Sequence, residues 1–208
     1  MQRYLNSLIV LLKSQLIDQW GQIFLELNLL NSNISLPNQD NFIIRIATKE
    51  DIPTIKSDIY PLLGDYGEYD KKYIEKIGQE GMECFIAIKD KKIVHYFFVF
   101  DSALNSPLIR TPINKKLIAS NDASLGSQFT CPEFRGKSIS IYSLAEIFRY
   151  LKTKTKATKL LTTIHKNTPS AIMFHKRLGF VEIDNLSTKS TTYKIKYLFF
   201  KLITYLFD

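Results

Sequence analysis

The sequence predicts an α/β fold, because stretches with strand character and stretches with helix character alternate along it. Residues 84–88 and 93–100 are rich in β-branched and aromatic side chains and flank a polar turn, which is typical of an antiparallel hairpin. The apolar run 125–131 ends at a basic turn, after which apolar residues return at helical spacing through 138–151. A compact strand at 160–164 then precedes a further helical stretch. Together these elements predict a sheet flanked by helices.

The start of the chain predicts an amphipathic helix or a pair of helices. Its apolar residues recur at steps of three and four, the spacing of one helix face: Leu5, Ile9, Leu12, Leu16, Trp20, Ile23, Leu27 and Leu30. Asn6, Lys13 and Asp18 interrupt the run, which is too short for a membrane span and has no small-residue cleavage site. Packing against the rest of the chain or a second subunit is therefore preferred over binding to a membrane surface.

Composition along the chain divides it into three segments. Residues 1–40 comprise the amphipathic helical extension and a linker rich in Asn and Ser. Residues 41–185 carry the alternating strand and helix patterns and are predicted to form the folded domain. Residues 186–208 form a C-terminal tail, predicted as a strand that runs into a short hydrophobic helix.

The first half of the predicted domain carries weaker patterns. A strand is predicted over 42–47, and Thr48 followed by Asp51 predicts a helix cap directly after it. A short helix is expected at 70–80. Two prolines interrupt 102–121, which predicts an irregular segment or one more strand there.

The C-terminal tail mixes lysine with large apolar side chains. Lys194, Lys196 and Lys201 lie among tyrosine, phenylalanine and leucine residues. This composition is typical of segments that touch a membrane surface, and it fits a core or dimer element equally well. Peripheral membrane contact and a homodimer are therefore both open for this tail.

Composition also limits the partners and the chemistry. A length of 208 residues with 45% hydrophobic content suffices for one domain with a full core, and a net charge of +8 favours an anionic partner. Nucleic acid is disfavoured, because the basic residues are scattered and no recognised binding motif is present. Cys84 and Cys131 lie in apolar runs without metal-ligand spacing. The sequence therefore predicts no metal, no disulfide framework and a reducing, cytoplasmic setting.

The basic turn that follows the apolar run has the features of a phosphate-binding loop. Pro132 stops the strand, and Arg135, Gly136, Lys137 and Ser138 follow before the helix begins. The first amides of a helix have no partner inside it and point outward. The turn thus combines backbone donors, a helix dipole and two cations, and it predicts binding of a pyrophosphate group.

Two motifs follow each other in the second half of the chain. They are PEFRGKSISIYSL, which begins at Pro132, and NTPSAIMFHKRLGF, which begins at Asn167 and predicts a helix over 168–176. These motifs resemble the GNAT superfamily of acyl-CoA-dependent N-acyltransferases. The resemblance implies a mixed, mostly antiparallel, twisted sheet flanked by helices, to which the N-terminal amphipathic segment is added. It also implies an acyltransferase that uses acetyl-CoA, or another acyl-CoA, as co-substrate.

The resemblance implies a set of donor-binding residues in the strand end, the turn and the second motif: Phe129, Thr130, Cys131, Arg135, Gly136, Lys137, Ser138, Ile139, Ser140, Asn167, Ser170 and Phe174. Ser138 and Ser140 stand where the family has glycine. Because glycine allows positive φ and close backbone approach, serine at both places is expected to narrow the cradle or weaken donor binding. Asn167 also lies one residue further from Gly179 than is usual in the family.

The resemblance implies direct attack of a primary amine on the acyl thioester. His175 lies where many family members have the tyrosine that protonates the leaving sulfur, and packing beside the pantetheine arm is the alternative role. His95 either lines the acceptor pocket or is a hydrogen-bonded core histidine. In the family a bulge in a strand exposes an amide to the thioester carbonyl, so the backbone near Phe129 and Thr130 is the expected oxyanion donor.

No carboxylate stands out as the general base, because Glu83 and Asp101 flank strands, where charged residues are usually solvated.

The main hypothesis is a cytoplasmic acyl-CoA-dependent N-acetyltransferase that acts on a small primary amine. The stretch 81–100 resembles acyltransferases of bacterial surface-polysaccharide synthesis, which implies an amino sugar as acceptor. The alternatives are an enzyme at the inner face of the membrane that uses an acidic acyl carrier protein as donor, and a noncatalytic binding or regulatory protein.

Overall fold

A computed structural model describes residues 22–32, 34, 42–64, 67–106 and 118–183 of the chain. Within these ranges the chain forms seven strands and four α-helices. The strands are β1 (Gln22–Asn28), β2 (Ile43–Ile46), β3 (Met82–Lys89), β4 (Lys92–Phe100), β5 (Asp122–Thr130), β6 (Lys159–His165) and β7 (Val181–Glu182). The helices are α1 (Ile52–Ile59), α2 (Gly67–Ile74), α3 (Ile139–Lys154) and α4 (Pro169–Arg177).

The strands form one mixed sheet in the order β2-β3-β4-β5-β6-β1-β7. β5 and β6 are parallel, whereas the pairs β2–β3, β3–β4, β4–β5 and β1–β7 are antiparallel. This confirms the predicted α/β fold with a mixed, mostly antiparallel sheet flanked by helices. The chain divides into two compact units, a larger one of Leu27–Ile109 and Ile118–Thr162, and a smaller one that includes the residues up to Glu26 and from Thr163.

The predicted hairpin is the centre of the larger unit. β3 and β4 pair from Met82–Phe100 to Lys89–Lys92 and are joined by the two-residue turn Asp90-Lys91. Both turn residues have positive φ, 50° and 67°, which matches the right-handed twist of the flanking strands. β4 is buried from Ile93 to Phe100, so both of its faces are covered. Such a strand has an unbroken apolar sequence, which explains why the hairpin was easy to predict.

The predicted first strand and helix cap are also confirmed. β2 is the edge strand next to β3, and the Thr48 amide donates to Asp51 Oδ2 at 2.8 Å in the expected capping box. Arg45 donates from both terminal nitrogens to the same carboxylate, at 2.6 and 2.7 Å. The Arg45 hydrogen bonds lower the pKa of Asp51 to about 2. This group fixes the start of α1, whose Ile55 and Ile59 are fully buried in the core.

The N-terminal prediction is wrong for residues 22–28, which form strand β1 instead of a helix. Ile23 and Leu27 fit the helical spacing, but Phe24 and Leu25 between them are buried as well. A stretch that is apolar on both sides suits a strand covered on both faces, and pairing in the sheet overrides the helical period. The sheet therefore begins before the predicted domain start at residue 41. Residues 1–21 of the predicted helix lie outside the described ranges.

The remaining predicted segments either have different bounds in the structure or lie partly or wholly outside the described residues. α2 begins and ends earlier than the helix predicted at 70–80. The segment 102–121 begins with the 3-10 turn Ala103–Asn105, and its residues 107–117 lie outside the described ranges. The predicted tail 186–208 lies outside them too. None of the helices in the described ranges is long and apolar enough to cross a membrane.

Candidate functional site

Strand β5 contains a bulge in the middle of the larger unit. Phe97 pairs with Gln128 and Val99 with Leu125, so β5 uses one more residue than β4 between these two pairs. The extra residue falls at Gly126 or Ser127. A Cβ built on Gly126 would lie 2.8 Å from the Cβ of Phe98, so the close approach of β4 requires glycine there. The bulge thus lies just before Phe129, where the sequence placed the oxyanion donor.

The second half of β5 has an open edge, in the sense that no described strand pairs with it there. Its pairing with β6 covers only Asp122, Ala123 and Ser124. The Cys131 amide donates to the Val94 carbonyl at 2.9 Å, so in the alternating antiparallel pattern the Phe129 amide also faces β4. The amides of Gln128 and Thr130 then face the opposite, open edge. Of the two expected oxyanion donors, this geometry favours Thr130.

Arg135 is fixed at the end of β5. After the 3-10 turn Pro132–Phe134, its Nε donates to the Thr130 carbonyl at 3.1 Å. Its guanidinium lies over the Phe129 ring, 5.9 Å from the ring centroid. These two contacts leave the terminal nitrogens of an exposed cation beside the open edge.

The turn before α3 presents a row of backbone donors. Among the described residues, none of the amides of residues 136–140 donates to a backbone oxygen. They stand at the N-terminus of the sixteen-residue helix α3, where the helix dipole favours an anion. A Cβ built on Gly136 would meet no atom within 4 Å, so the turn leaves open space in front of it. Lys137 is exposed there, and its ammonium lies 4.9 Å from the Phe134 ring centroid. These residues fit a pyrophosphate group.

The two serines at the family's glycine positions have different backbone conformations. Ser138 is the N-cap of α3 and has φ 59° and ψ 10°, the left-handed conformation that glycine adopts freely. Ser140 lies in the first turn of α3, where a side chain needs no unusual backbone. Of the two serines, only Ser138 therefore has an unfavourable backbone conformation. Its conformational free energy is higher than that of glycine by about 1–2 kcal/mol, because the residue has a Cβ.

His95 lies in the core of the larger unit. Its exposed fraction is 0%, and its Nδ1 is 2.8 Å from the Thr130 hydroxyl. Burial lowers the pKa of His95 to about 3, so the ring is neutral near pH 7. Its Nε2 has no hydrogen-bond partner among the described residues. Of the two roles that the sequence left open, this burial favours the core histidine. In that role His95 contacts the hydroxyl of Thr130, whose carbonyl accepts the hydrogen bond from Arg135.

His175 lies on α4 in the smaller unit and is 3% exposed. Its Nδ1 is 2.9 Å from the Ala171 carbonyl, and the rings of Phe174 and Phe180 stand edge-on to it, each centroid at 5.1 Å. Burial lowers the pKa of His175, which favours a neutral ring with its proton on Nδ1. Nε2 then has a free lone pair, and it has no partner among the described residues.

The remaining predicted residues of the second motif lie around the start of α4. Asn167 is exposed in the turn after β6, and Ser170 is exposed in the first turn of the helix. Thr168 donates from its hydroxyl to the His165 carbonyl at 2.6 Å, and Gly179, with φ 92°, follows the helix end. The predicted site residues thus form two groups, Phe129 to Ser140 in the larger unit and Asn167 to His175 in the smaller one.

Two carboxylates that the sequence placed in solvent are half-buried instead. Tyr150 donates from its hydroxyl toward Asp101, with both carboxylate oxygens at 3.1 Å, and lies 3.4 Å from Glu83 Oε1. Burial raises the pKa of both carboxyl groups. The prediction that charged residues at strand ends are solvated fails here, because the strand ends lie under α3. Among the described residues, no group of three or more His, Cys, Asp or Glu side chains could hold a metal ion.

One carboxylate near the bulge was missed by the sequence analysis. Asp70 on α2 accepts hydrogen bonds from the Tyr96 hydroxyl on β4 and from the Ser127 hydroxyl in the bulge of β5. Asp70 stands in the polar stretch GEYDKK, where nothing local separates it from its charged neighbours. Only the pairing of distant strands brings the three residues together.

Comparison with known proteins places the fold. No protein-family model and no curated protein sequence matches the chain. An aminoglycoside 6'-N-acetyltransferase from Acinetobacter baumannii matches 68% of this chain and 92% of its own with a TM-score of 0.52 and 16% identity. The chain has the fold of the GNAT acetyltransferases. The resemblance noted in the sequence is thereby confirmed at the level of the fold.

Two further solved structures resemble the fold of this chain. An aminoglycoside N-acetyltransferase solved in complex with CoA matches 72% of this chain and 94% of its own, with a TM-score of 0.53 and 15% identity. A conserved protein of unknown function from Staphylococcus epidermidis matches 78% of this chain with a TM-score of 0.55 and 10% identity. The present chain spans only 57% of the length of that last protein.

Proposed function

We propose that the protein is an acyl-CoA-dependent N-acetyltransferase that acetylates a primary amine of a small acceptor. The observation that carries this proposal is the row of backbone amides at residues 136–140, which donate to no backbone oxygen among the described residues, with Arg135 beside them at the end of β5. On the GNAT fold this arrangement suits the pyrophosphate of coenzyme A. Arg135 and Lys137 add charge to the backbone donors, and acetyl-CoA serves as co-substrate without a metal ion.

The open edge of β5 supplies the second element of the mechanism. The acetyl thioester lies along this edge, and the Thr130 amide donates to the carbonyl oxygen. The lone pair of the acceptor amine attacks the carbonyl carbon, and the negative charge that develops on the oxygen is stabilised by that donor. The C–S bond then breaks, the amide forms, and coenzyme A leaves as a thiolate that takes up a proton.

His175 enters the proposal through the family resemblance, which implies a proton donor to the leaving sulfur at its position. Because Nδ1 donates to the Ala171 carbonyl, Nε2 is the atom of this ring that can take up and release a proton. In the overall reaction the amine loses one proton and the thiolate gains one, so the charge balances. The low pKa of the buried ring keeps it in the neutral form between turnovers.

The finer proposal for the acceptor is an amino sugar. It is supported by the resemblance of residues 81–100 to acyltransferases of surface-polysaccharide synthesis. Two proteins that share the fold are aminoglycoside N-acetyltransferases, so they acetylate amines carried on sugar rings. A cytoplasmic location belongs to the same proposal, since Cys84 and Cys131 are free, buried thiols and acyl-CoA is an intracellular donor.

The direct test is thermal stability of the purified protein with acetyl-CoA, longer acyl-CoAs and free coenzyme A. A ligand at one hundred times its Kd adds about 2.7 kcal/mol to the free energy of unfolding, which is a measurable rise in Tm. We expect the rise with wild type and a strongly reduced one with Arg135→Ala. Lys154→Ala, at the far end of α3, is the matched basic control and should respond like wild type.

The outcomes separate the alternatives. No shift with any coenzyme A compound in wild type contradicts the proposal and favours a carrier-protein donor. A shift without acetylation of any amine in a panel that includes amino sugars favours a noncatalytic binding protein.

A further inference from the structure

Asp70 ties helix α2 to two strands of the sheet. One oxygen of its carboxylate accepts from the Tyr96 hydroxyl on β4, and the other accepts from the Ser127 hydroxyl on β5. Tyr96 is fully buried, whereas Asp70 and Ser127 are half-buried. The carboxylate is therefore held in a fixed position at the edge of the core and stays accessible on one side.

The carboxylate has no cationic partner among the described residues. The lysine that follows it, Lys71, pairs with Glu68 at 2.7 Å, and Lys76 lies over the Tyr73 ring. None of the ion pairs in the described ranges includes Asp70. A partly desolvated carboxylate that two hydroxyls orient, and that no cation neutralises, is suited to binding a cation from outside the chain.

Several aromatic rings lie on α2 and on the strands whose hydroxyls contact Asp70. Tyr69 and Tyr73, on the same helix, have centroids 4.7 Å apart, and Tyr73 stands edge-on to Phe100 at 5.7 Å. Tyr96 stacks on Phe129 at 6.0 Å with an interplanar angle of 22°. Aromatic faces attract ammonium groups and repel anions. The site therefore favours an organic ammonium ion.

The position is linked to the proposed donor site through β5. Ser127 lies in the bulge, three residues before Thr130, which corresponds to about 10 Å along a strand. The Phe129 ring contacts the Arg135 guanidinium and the Tyr96 ring, so side-chain contacts run from the turn to Asp70. An ammonium bound by Asp70 would thus lie several ångströms from an amine that attacks a carbonyl held by the Thr130 amide.

We propose that Asp70 binds an ammonium group of the acceptor that is distinct from the reacting amine, so that the preferred acceptors carry at least two amino groups. This inference rests on the proposed function and specifies the acceptor class of the same site. Asp70 sets specificity: it holds one cationic group while a second, neutral amine attacks the thioester.

The test compares matched acceptors that differ by one amino group. The two pairs are 1,5-diaminopentane with pentylamine, and 2,6-diamino-2,6-dideoxyglucose with glucosamine. We expect wild type to prefer the diamine in kcat/KM by about tenfold or more, since a charged hydrogen bond contributes about 1.5–3 kcal/mol. Asp70→Asn should remove this preference through KM for the diamine and leave KM for acetyl-CoA unchanged.

Control variants separate charge from structure. Glu68→Gln removes an exposed carboxylate from the same helix and should keep the preference. Tyr96→Phe and Ser127→Ala remove the hydroxyls and keep the carboxylate, so the diamine should still be preferred. The absence of a preference in both wild-type pairs, or its persistence in Asp70→Asn, overturns the inference. Loss of the preference in the hydroxyl variants together with Asp70→Asn would overturn it too, because the carboxylate would then act only as a structural tie.

Binding measurements keep this test apart from the proposed function. Calorimetric titration of 1,5-diaminopentane into wild type and Asp70→Asn, without donor, should detect binding in wild type only. If acetyl-CoA raises Tm in both proteins but neither binds the diamine, the proposed function stands and the Asp70 inference fails. If acetyl-CoA has no effect on wild type, the proposed function itself fails.

Discussion

Ser138 replaces a glycine of the family pattern but keeps the left-handed backbone conformation that glycine usually has. Its φ of 59° is the conformation for which glycine is preferred, and Gly136, two residues earlier, has φ 77° and is the other positive-φ position of the turn. Serine also keeps the backbone N–H that glycine would supply at this position. The serine therefore places a local conformational cost on the turn without removing a donor from it.

His95 gives the chain a pH-dependent stability with a definite sign. Burial lowers its pKa from 6.5 to about 3 in the folded state, so only the unfolded state takes up a proton as the pH falls below 6.5. The stabilisation is thus present above pH 6.5 and is lost as the pH falls toward 3. One such histidine changes the free energy of unfolding by up to about 1.4 kcal/mol per pH unit.

Urea unfolding of wild type and His95→Gln at pH 7, 6 and 5 measures this effect. Glutamine can keep a hydrogen bond to the Thr130 hydroxyl but does not titrate, so the variant should lose stability less steeply with falling pH. Glu83 and Asp101, whose pKa values are raised, change the free energy of unfolding with pH in the opposite direction. Their contribution is the same in both proteins and cancels when the free energies of unfolding are subtracted. Equal slopes for wild type and His95→Gln would rule out a buried neutral histidine.

At the scale of elements, the bulge in β5 is the feature that positions the candidate site. It moves Ser127 toward α2 and precedes the open edge that carries the Thr130 amide. Its register depends on which residues of β4 face β5, and that information is not local. The family resemblance predicted an exposed backbone near Phe129 and Thr130, but nothing local in the sequence marks the extra residue of the bulge.

Gly126→Ala should disturb the bulge. The added Cβ would lie 2.8 Å from the Phe98 Cβ and 2.9 Å from the Phe100 ring, so β4 and β5 must separate or the bulge must move. Overpacking of this kind costs about 1–3 kcal/mol in the free energy of unfolding. Urea unfolding of Gly126→Ala and of wild type measures this cost. A Gly126→Ala protein as stable as wild type would contradict the close approach of the two strands.

Elements with a complete local signal were predicted from the sequence, and the others were not. The β3–β4 hairpin has a polar turn between two apolar runs, and helix α3 repeats its buried side chains at helical spacing, so each was predicted close to its observed bounds. Strand β1 was mistaken for part of a helix, because Ile23 and Leu27 fit both periods and the partner strand is β7, more than a hundred residues away. Pairing over such distances leaves no trace in a short window of sequence.

At the scale of the whole molecule, the two motifs were sufficient to predict the fold, which the described part of the chain and its structural relatives confirm. The turn at Arg135 to Ser138 was also predictable, since a strand, a proline and a basic turn before a helix are consecutive in sequence. The Asp70 site was not, because its three residues come from α2, β4 and β5. A net charge of +8 is consistent with an anionic donor but cannot distinguish one anion from another.

Amide NMR of the ¹⁵N-labelled protein tests most directly whether the backbone amides before α3 bind the pyrophosphate of coenzyme A. Titration with coenzyme A should shift the amide signals of residues 136–140 first and most strongly. Acetyl-CoA should in addition shift the Thr130 amide, whereas the amides of the β3–β4 turn should stay in place. Saturable shifts elsewhere, with residues 136–140 unchanged, would contradict binding of the pyrophosphate at this turn.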